Sequence, residues 1–212
     1  MKFLNTLGFA VLMLITLSSF SNAQLLQLGA GGGLTQILAP NGYTDAVGDG
    51  GYGFSTEWNA GAIVKIGLPL IPLTPRAYFL YHSLSGNGEI SGGPDPINGS
   101  NPNADYTQTI SEIGIGLQYN FVPLPVGFDP YIALDLSFNS FGMLELNGVE
   151  VPNTKYTRFG GGIGLGTEVS IIPLVNLDFY LSYKMFNITG KEDGEDTISA
   201  VTLDAFIIFN FL

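Results

Sequence analysis

The chain has one histidine, in Tyr81-His82-Ser83-Leu84-Ser85. An imidazole that activates a hydroxyl must lie within hydrogen-bond reach of it. Polar and apolar residues alternate here as in a strand, so His82 and Ser83 point to opposite faces, and the residue two positions on is Leu84. His82 therefore reads as a hydrogen-bonded histidine of a polar strand face, not as a base. No cysteine is present, which excludes thiolate nucleophiles, disulfides and thiolate metal sites. The acidic run 190–196, Gly-Lys-Glu-Asp-Gly-Glu-Asp, could offer carboxylates to a divalent cation, but it lacks EF-hand spacing and reads as a solvated hairpin tip. The glycine runs 29–33 and 160–166 lack the lysine and following helix of a phosphate loop. No catalytic residue, cofactor or metal site is expected.

What remains is a set of charges spaced along alternating segments. Glu57, Lys65, Arg76, Glu112, Asp135, Arg158, Glu168, Asp178, Lys184 and Asp204 fall on the polar row of their segments. Asn59, Gln118, Asn139, Tyr78, Tyr180 and Thr202 share that row. The opposite row is apolar. It carries Trp58, Ala62 and Val64, then Ile113, Ile115 and Leu117, then Leu134, Leu136 and Phe138, and later Phe179, Leu181 and Tyr183. Strict alternation means strands with one apolar and one polar face.

The elements that would position these residues are eight strands, near 25–37, 57–68, 76–86, 109–121, 131–141, 156–170, 177–188 and 198–212. Ile71-Pro72-Leu73, Val122-Pro123-Leu124 and Ile172-Pro173-Leu174 punctuate them at near-equal spacing, each reading as a short turn. Between these turns lie longer Gly-, Asn- and Asp-rich loops at 38–56, 87–108, 142–155 and 189–197. Each strand reaches the roughly 9–11 residues that a tilted strand needs to cross a bilayer. The last strand places Leu203, Ala205, Ile207, Phe209 and Phe211 on one face, and nothing follows it to cover them. The economical cover is lipid. The polar interior must then pair its own charges, because eight strands enclose only enough space for side chains to fill. Gly114, Gly116, Gly160, Gly162, Gly164 and Gly166 share the inward row and would let Arg and Tyr side chains lie across the interior. Trp58, Phe138 and Tyr183 at one end, with Tyr119, Phe121 and Phe211 at the other, would form interfacial girdles.

Residues 1–23 read as a secretory signal peptide. Lys2 supplies the positive end, Leu4 to Leu17 the short apolar core, and Ser21-Asn22-Ala23 the cleavage site. Residues 24–212 then form the barrel domain. The chain has 7 basic and 18 acidic residues, and losing Lys2 makes it more acidic still. Nucleic acid is therefore not an expected partner.

Signal peptide, eight alternating strands, loop asymmetry and an aromatic closing strand together resemble the small outer-membrane barrels of the OmpA/OmpX-like superfamily. The resemblance implies an all-β, eight-stranded antiparallel up-and-down transmembrane β-barrel in the outer membrane of a Gram-negative-type bacterium, with periplasmic short turns. It implies outer-membrane lipid as surroundings and Phe209 and Phe211 as part of the signal read by the barrel-insertion machinery. Enzymatic relatives, the lipid A deacylases and outer-membrane phospholipases, pair His and Ser two apart on a strand, and this chain does not. The expected role is structural or interactive and non-catalytic, with acidic loops as the contact surface for a partner the sequence does not name. A narrow channel for small or hydrophobic solutes, and a secreted soluble barrel binding a lipid, are the alternatives.

Overall fold

A computed structural model describes residues 25–68, 71–90, 102–121, 127–172 and 174–211. The proposed signal peptide, Val122-Pro123-Leu124, Pro173 and Leu212 lie outside the described residues. The strands in chain order are β1 (Leu25–Ala39), β2 (Thr56–Gly67), β3 (Leu73–Glu89), β4 (Asn103–Asn120), β5 (Phe128–Phe141), the short β6 (Glu145–Leu146) and β7 (Val149–Glu150), then β8 (Tyr156–Ile172), β9 (Val175–Thr189) and β10 (Ser199–Phe211). The eight long strands form the wall. Along the wall every neighbour in sequence is an antiparallel neighbour in space, and β1 pairs with β10 from Leu26 opposite Phe211 to Thr35 opposite Thr202. The sheet is thus a closed up-and-down barrel with no free edge in its wall.

Burial alternates along the strands as the side-chain period requires. Ile115 leaves 63% and Leu136 67% of its surface uncovered, while Lys65 and Gln118 leave none. A soluble protein buries its branched aliphatics and exposes its lysines; here the order is inverted, which identifies the outer wall as lipid-facing. Trp58 and Tyr81 pack together on the wall near the loop end, as do Phe138 and Phe159, and Tyr119 with Phe121 near the turn end.

The strands reach further than the sequence pattern indicates at the loop end. β3 and β4 stay in register out to Glu89 opposite Asn103, so residues 87–89 and 103–108 of the expected loop 87–108 belong to strands. The added residues, Asn87-Gly88-Glu89 and Asn103-Ala104-Asp105-Tyr106-Thr107-Gln108, are mostly polar and carry no run of large aliphatics that would mark them as strand. Loop 142–155 is not featureless either. It contains the small hairpin of β6 and β7, which adds to β4 beside Tyr106 and Thr107. Its tip is Asn147-Gly148, both with positive φ (52° and 77°), as a tight two-residue hairpin turn requires. Loop 40–55 holds one helical turn, α1 (Asn41–Thr44), and a 3₁₀ turn (Val47–Asp49).

Candidate functional site

The interior is divided along the barrel axis. Nearest the short turns, Lys65 on β2 points across the lumen with its Nζ 2.7 Å from Glu168 Oε1 and 2.7 Å from Asp178 Oδ2. Tyr131 donates its hydroxyl to Asp178 at 2.7 Å. Asn176 and Gln118 donate amide hydrogens to Glu168 at 3.2 and 3.4 Å. Lys65 is fully buried, so removing these carboxylates would leave an uncompensated charge inside the barrel.

Adjacent to this cluster, Arg76 holds Asp135 in a two-pronged pair, Nε to Oδ1 at 2.9 Å and Nη2 to Oδ2 at 2.5 Å. The guanidinium also lies 4.2 Å from the centre of the Tyr180 ring, whose hydroxyl donates to Asp135 at 2.8 Å. The inward glycines make room for these groups. Gly166 lies in register between Tyr131 and Tyr180, which stack with centroids 5.9 Å apart, and a Cβ there would overlap the Tyr131 ring. A Cβ on Gly114 would overlap Tyr78, and one on Gly116 would overlap Asp135.

A third cluster centres on Glu112. It accepts from Lys184 Nζ at 2.7 Å and Tyr78 OH at 2.8 Å, and meets His82 Nε2 at 3.0 Å. His82 Nδ1 lies 2.8 Å from Thr35 Oγ1. Hydroxyl, imidazole and carboxylate thus stand in a row, a pattern that alignment of β1 with β3 creates and that sequence proximity to His82 could not disclose. Thr35 and His82 are both fully buried. Asp204 has no ion-pair partner among the described residues; it accepts from Asn59 Nδ2 at 2.8 Å and Thr202 Oγ1 at 2.9 Å.

Beyond Glu112 the inward rows turn apolar. Ile37, Leu84, Ile110, Phe141, Phe186, Ile198 and Ala200 form one buried cluster with Phe54 and Leu144 from the loops. Tyr43, Tyr52 and Phe54 of loop 40–55 pack with ring centroids 5.5 Å apart over this cluster. Tyr43 and Tyr156 join through their hydroxyls at 2.9 Å. The loop end of the lumen is therefore closed by a hydrophobic cap, which the reading of the inward row as polar throughout did not include.

Two of the ten charges stand apart from the axial clusters. Arg158 lies at the loop end and binds loop 190–198, with Nε 2.9 Å and Nη2 2.6 Å from Glu195 Oε2 and Nη2 3.6 Å from Glu192 Oε1. Burial works against the Glu195 charge, yet hydrogen bonds from Arg158, Asn187 and the Glu192 amide outweigh it and hold the carboxyl down at about 2. Glu57 accepts from Ser85 Oγ at 2.5 Å and pairs with no cation among the described residues. The reason is position: Glu57 is the second residue of β2, at the loop end, where no inward lysine or arginine lies opposite. Phe209 and Phe211 lie on the outer wall opposite Leu28 and Leu26. The acidic run 190–196 forms no carboxylate group suited to a metal among the described residues.

The family model of the outer membrane protein β-barrel domain matches residues 7–205. The chain belongs to that family. Its fold is similar to that of Neisserial surface protein A, at TM-score 0.56 and 16% identity, over 90% of this chain and 98% of that one. It is also similar to a major outer membrane protein from Thermus thermophilus, at TM-score 0.52 and 15% identity, over 90% of this chain and all of that one. At such identity the likeness is one of fold. No curated protein matches the sequence. Family and fold together place this barrel in the outer membrane.

Proposed function

We propose that this outer-membrane barrel is a non-catalytic, non-conducting protein that acts through its loop surface. The observation that carries this reading is the packing at the loop end, where Phe54, Phe141, Leu144 and Phe186 fill the mouth that a solute would have to cross. Paired charges fill the lumen behind it, so opening a path would strip partners from buried ions. Loops that are packed rather than loose present a fixed contact surface, the usual place for recognition on a rigid scaffold. Export by the leader 1–23, outward placement of the long loops, and insertion guided by the strand carrying Phe209 and Phe211 complete the proposal. The narrow-channel alternative needs both the cap and the ion clusters to part.

Planar-bilayer recording of the refolded barrel tests it. A silent membrane is expected; discrete single-channel steps would overturn the closed lumen. In parallel, phospholipid hydrolysis that disappears in His82→Ala would overturn the non-catalytic reading.

A further inference from the structure

The outer face of β4 changes character toward the loops. Its row of lipid-facing aliphatics ends at Ile113, which is 61% exposed. Ser111 and Thr109 follow on the same face, opposite Tyr81 and Ser83 of β3. Ser140 lies opposite Ser111, and Thr157 opposite Ser140, so the hydroxyls continue across β5 and β8. At ~3.4 Å per residue and a tilt of ~45°, Thr109 stands ~10 Å above Ile113. The polar layers of a bilayer add ~5–8 Å on each side of its hydrocarbon core. This hydroxyl strip therefore lies at headgroup height on the loop side.

A cavity of about 280 Å³ opens here, lined by Thr107, Thr109, Met143, Glu145, Glu150 and Lys155 among others. It is smaller than a drug-sized site and suits a polar headgroup. Glu145 and Glu150 lie directly opposite each other on the β6–β7 hairpin, and like charges so placed repel. Lys155 lines the same cavity but pairs with neither. Among the described residues, the side chains of Lys155, Glu150 and Thr109 have no hydrogen-bond or ion-pair partner, and Glu145 has only the Thr107 hydroxyl, at 3.4 Å. The Gly142 amide donates to the Thr109 carbonyl at 2.8 Å, and a Cβ on Gly142 would overlap the free Thr109 hydroxyl. Met143, 39% exposed, gives the rim an apolar side chain. Opposite charges that line one cavity without closing on each other complement a ligand that carries both. A phosphate supplies acceptors for an ammonium and a hydroxyl, and a primary ammonium supplies three donors for carboxylates.

We propose that this cavity seats a lipid headgroup bearing a phosphate and a primary ammonium. Lys155 and the Thr109 hydroxyl take the phosphate, Glu145 and Glu150 take the ammonium, and Met143 faces the start of the acyl chains. The lipid is the occupant because the threonines belong to the outward row of the wall, just above the girdle of Trp58 and Tyr81. The site rests on the membrane placement of the wall, and neither the closed lumen nor the absence of catalysis enters it.

Native mass spectrometry of the refolded full barrel tests this, with the protein released from detergent doped equally with phosphatidylethanolamine, phosphatidylcholine and phosphatidylglycerol of matched chains. Expected is retention of one phosphatidylethanolamine, preferred ~5-fold or more, since the choline lipid has no N–H donor and the glycerol lipid no cation. Lys155→Ala should lower its retention ~5-fold or more, and Glu150→Gln should erase the preference over phosphatidylglycerol. Both side chains lack partners among the described residues, so both variants should keep the heat-dependent gel shift of the folded barrel. Glu192→Gln, a charge change on another loop, should leave retention unchanged. Equal retention of the three lipids, or a loss in Glu192→Gln equal to that in Lys155→Ala, would overturn the proposal. Displacement of the lipid by water-soluble glycerophosphoethanolamine at equal concentration would overturn it in favour of a soluble ligand.

Discussion

The ion-paired lumen and the cap above it are built from the same strands by opposite chemistry. On β3 the inward row runs Arg76, Tyr78, Leu80, His82 and Leu84; on β9 it runs Asp178, Tyr180, Ser182, Lys184 and Phe186. In both, charge gives way to apolar side chains toward the loops. In the lumen each group is fixed by named partners, so removing one leaves a stranded charge. In the cap each group is fixed by shape, so removing one leaves a void that loops can partly fill. The first arrangement holds the wall in register, and the second holds the loops to the wall.

The largest effect should follow from Lys65→Met, which strands Glu168 and Asp178 together inside the barrel. Breaking a buried pair from one side costs about 3–5 kcal/mol, and urea unfolding in lipid vesicles followed by Trp58 fluorescence should show it as a drop in the stability of the whole barrel. Replacing all three members with apolar residues of similar volume should recover most of the loss; failure to recover would mean that the cluster does more than satisfy itself. Gly166→Val comes next. Its side chain would collide with Tyr131, and such overpacking costs about 1–3 kcal/mol. An unchanged unfolding midpoint would contradict the stacked geometry.

Phe54→Ala should separate the two regions. Its lost packing, about 3 kcal/mol in a well-filled core, should be spent on releasing loop 40–55 while the barrel midpoint moves little. Limited proteolysis should then cut that loop before the wall opens. If the wall unfolds with the loop, cap and lumen are one cooperative unit. The smallest effect belongs to Glu195. Its carboxyl titrates at about 2 instead of the ordinary 4.5, so the folded loop favours the charged form. The stabilisation is complete above about pH 4.5 and is lost as pH falls toward about 2. Protease sensitivity of loop 190–198 should rise in that window, and Glu195→Gln should abolish the pH dependence.

Period-two alternation made the barrel legible, because lipid outside and a filled lumen inside impose opposite demands on adjacent residues. Eight strands, their order and the inward face of Lys65, Arg76 and Lys184 all follow from it. Which carboxylate each cation meets does not, since a partner such as Glu168 lies 103 residues from Lys65 and depends on shear across the barrel. The cap was present in the sequence as Leu84, Ile110, Phe141 and Phe186, which share parity with the charged residues. A reading centred on polar residues passes over them. The start of β5 was hidden for another reason: Pro130 resembles turn punctuation, but Asp129 and Pro130 both pair with β8. The Asn147-Gly148 hairpin had its signal too, a favoured tight-turn dipeptide inside a segment read as loop.

Hydrogen exchange of the folded barrel in detergent, read by mass spectrometry at loop 40–55, tests the closed cap most directly. The amides of Tyr52, Gly53 and Phe54 each donate at 2.9 Å, to the carbonyls of Gly42, Asp45 and Tyr43. Expected is exchange far slower than for an unstructured loop, accelerated in Phe54→Ala. Exchange in wild type at the rate of an open chain would contradict a packed cap and leave the lumen without its lid.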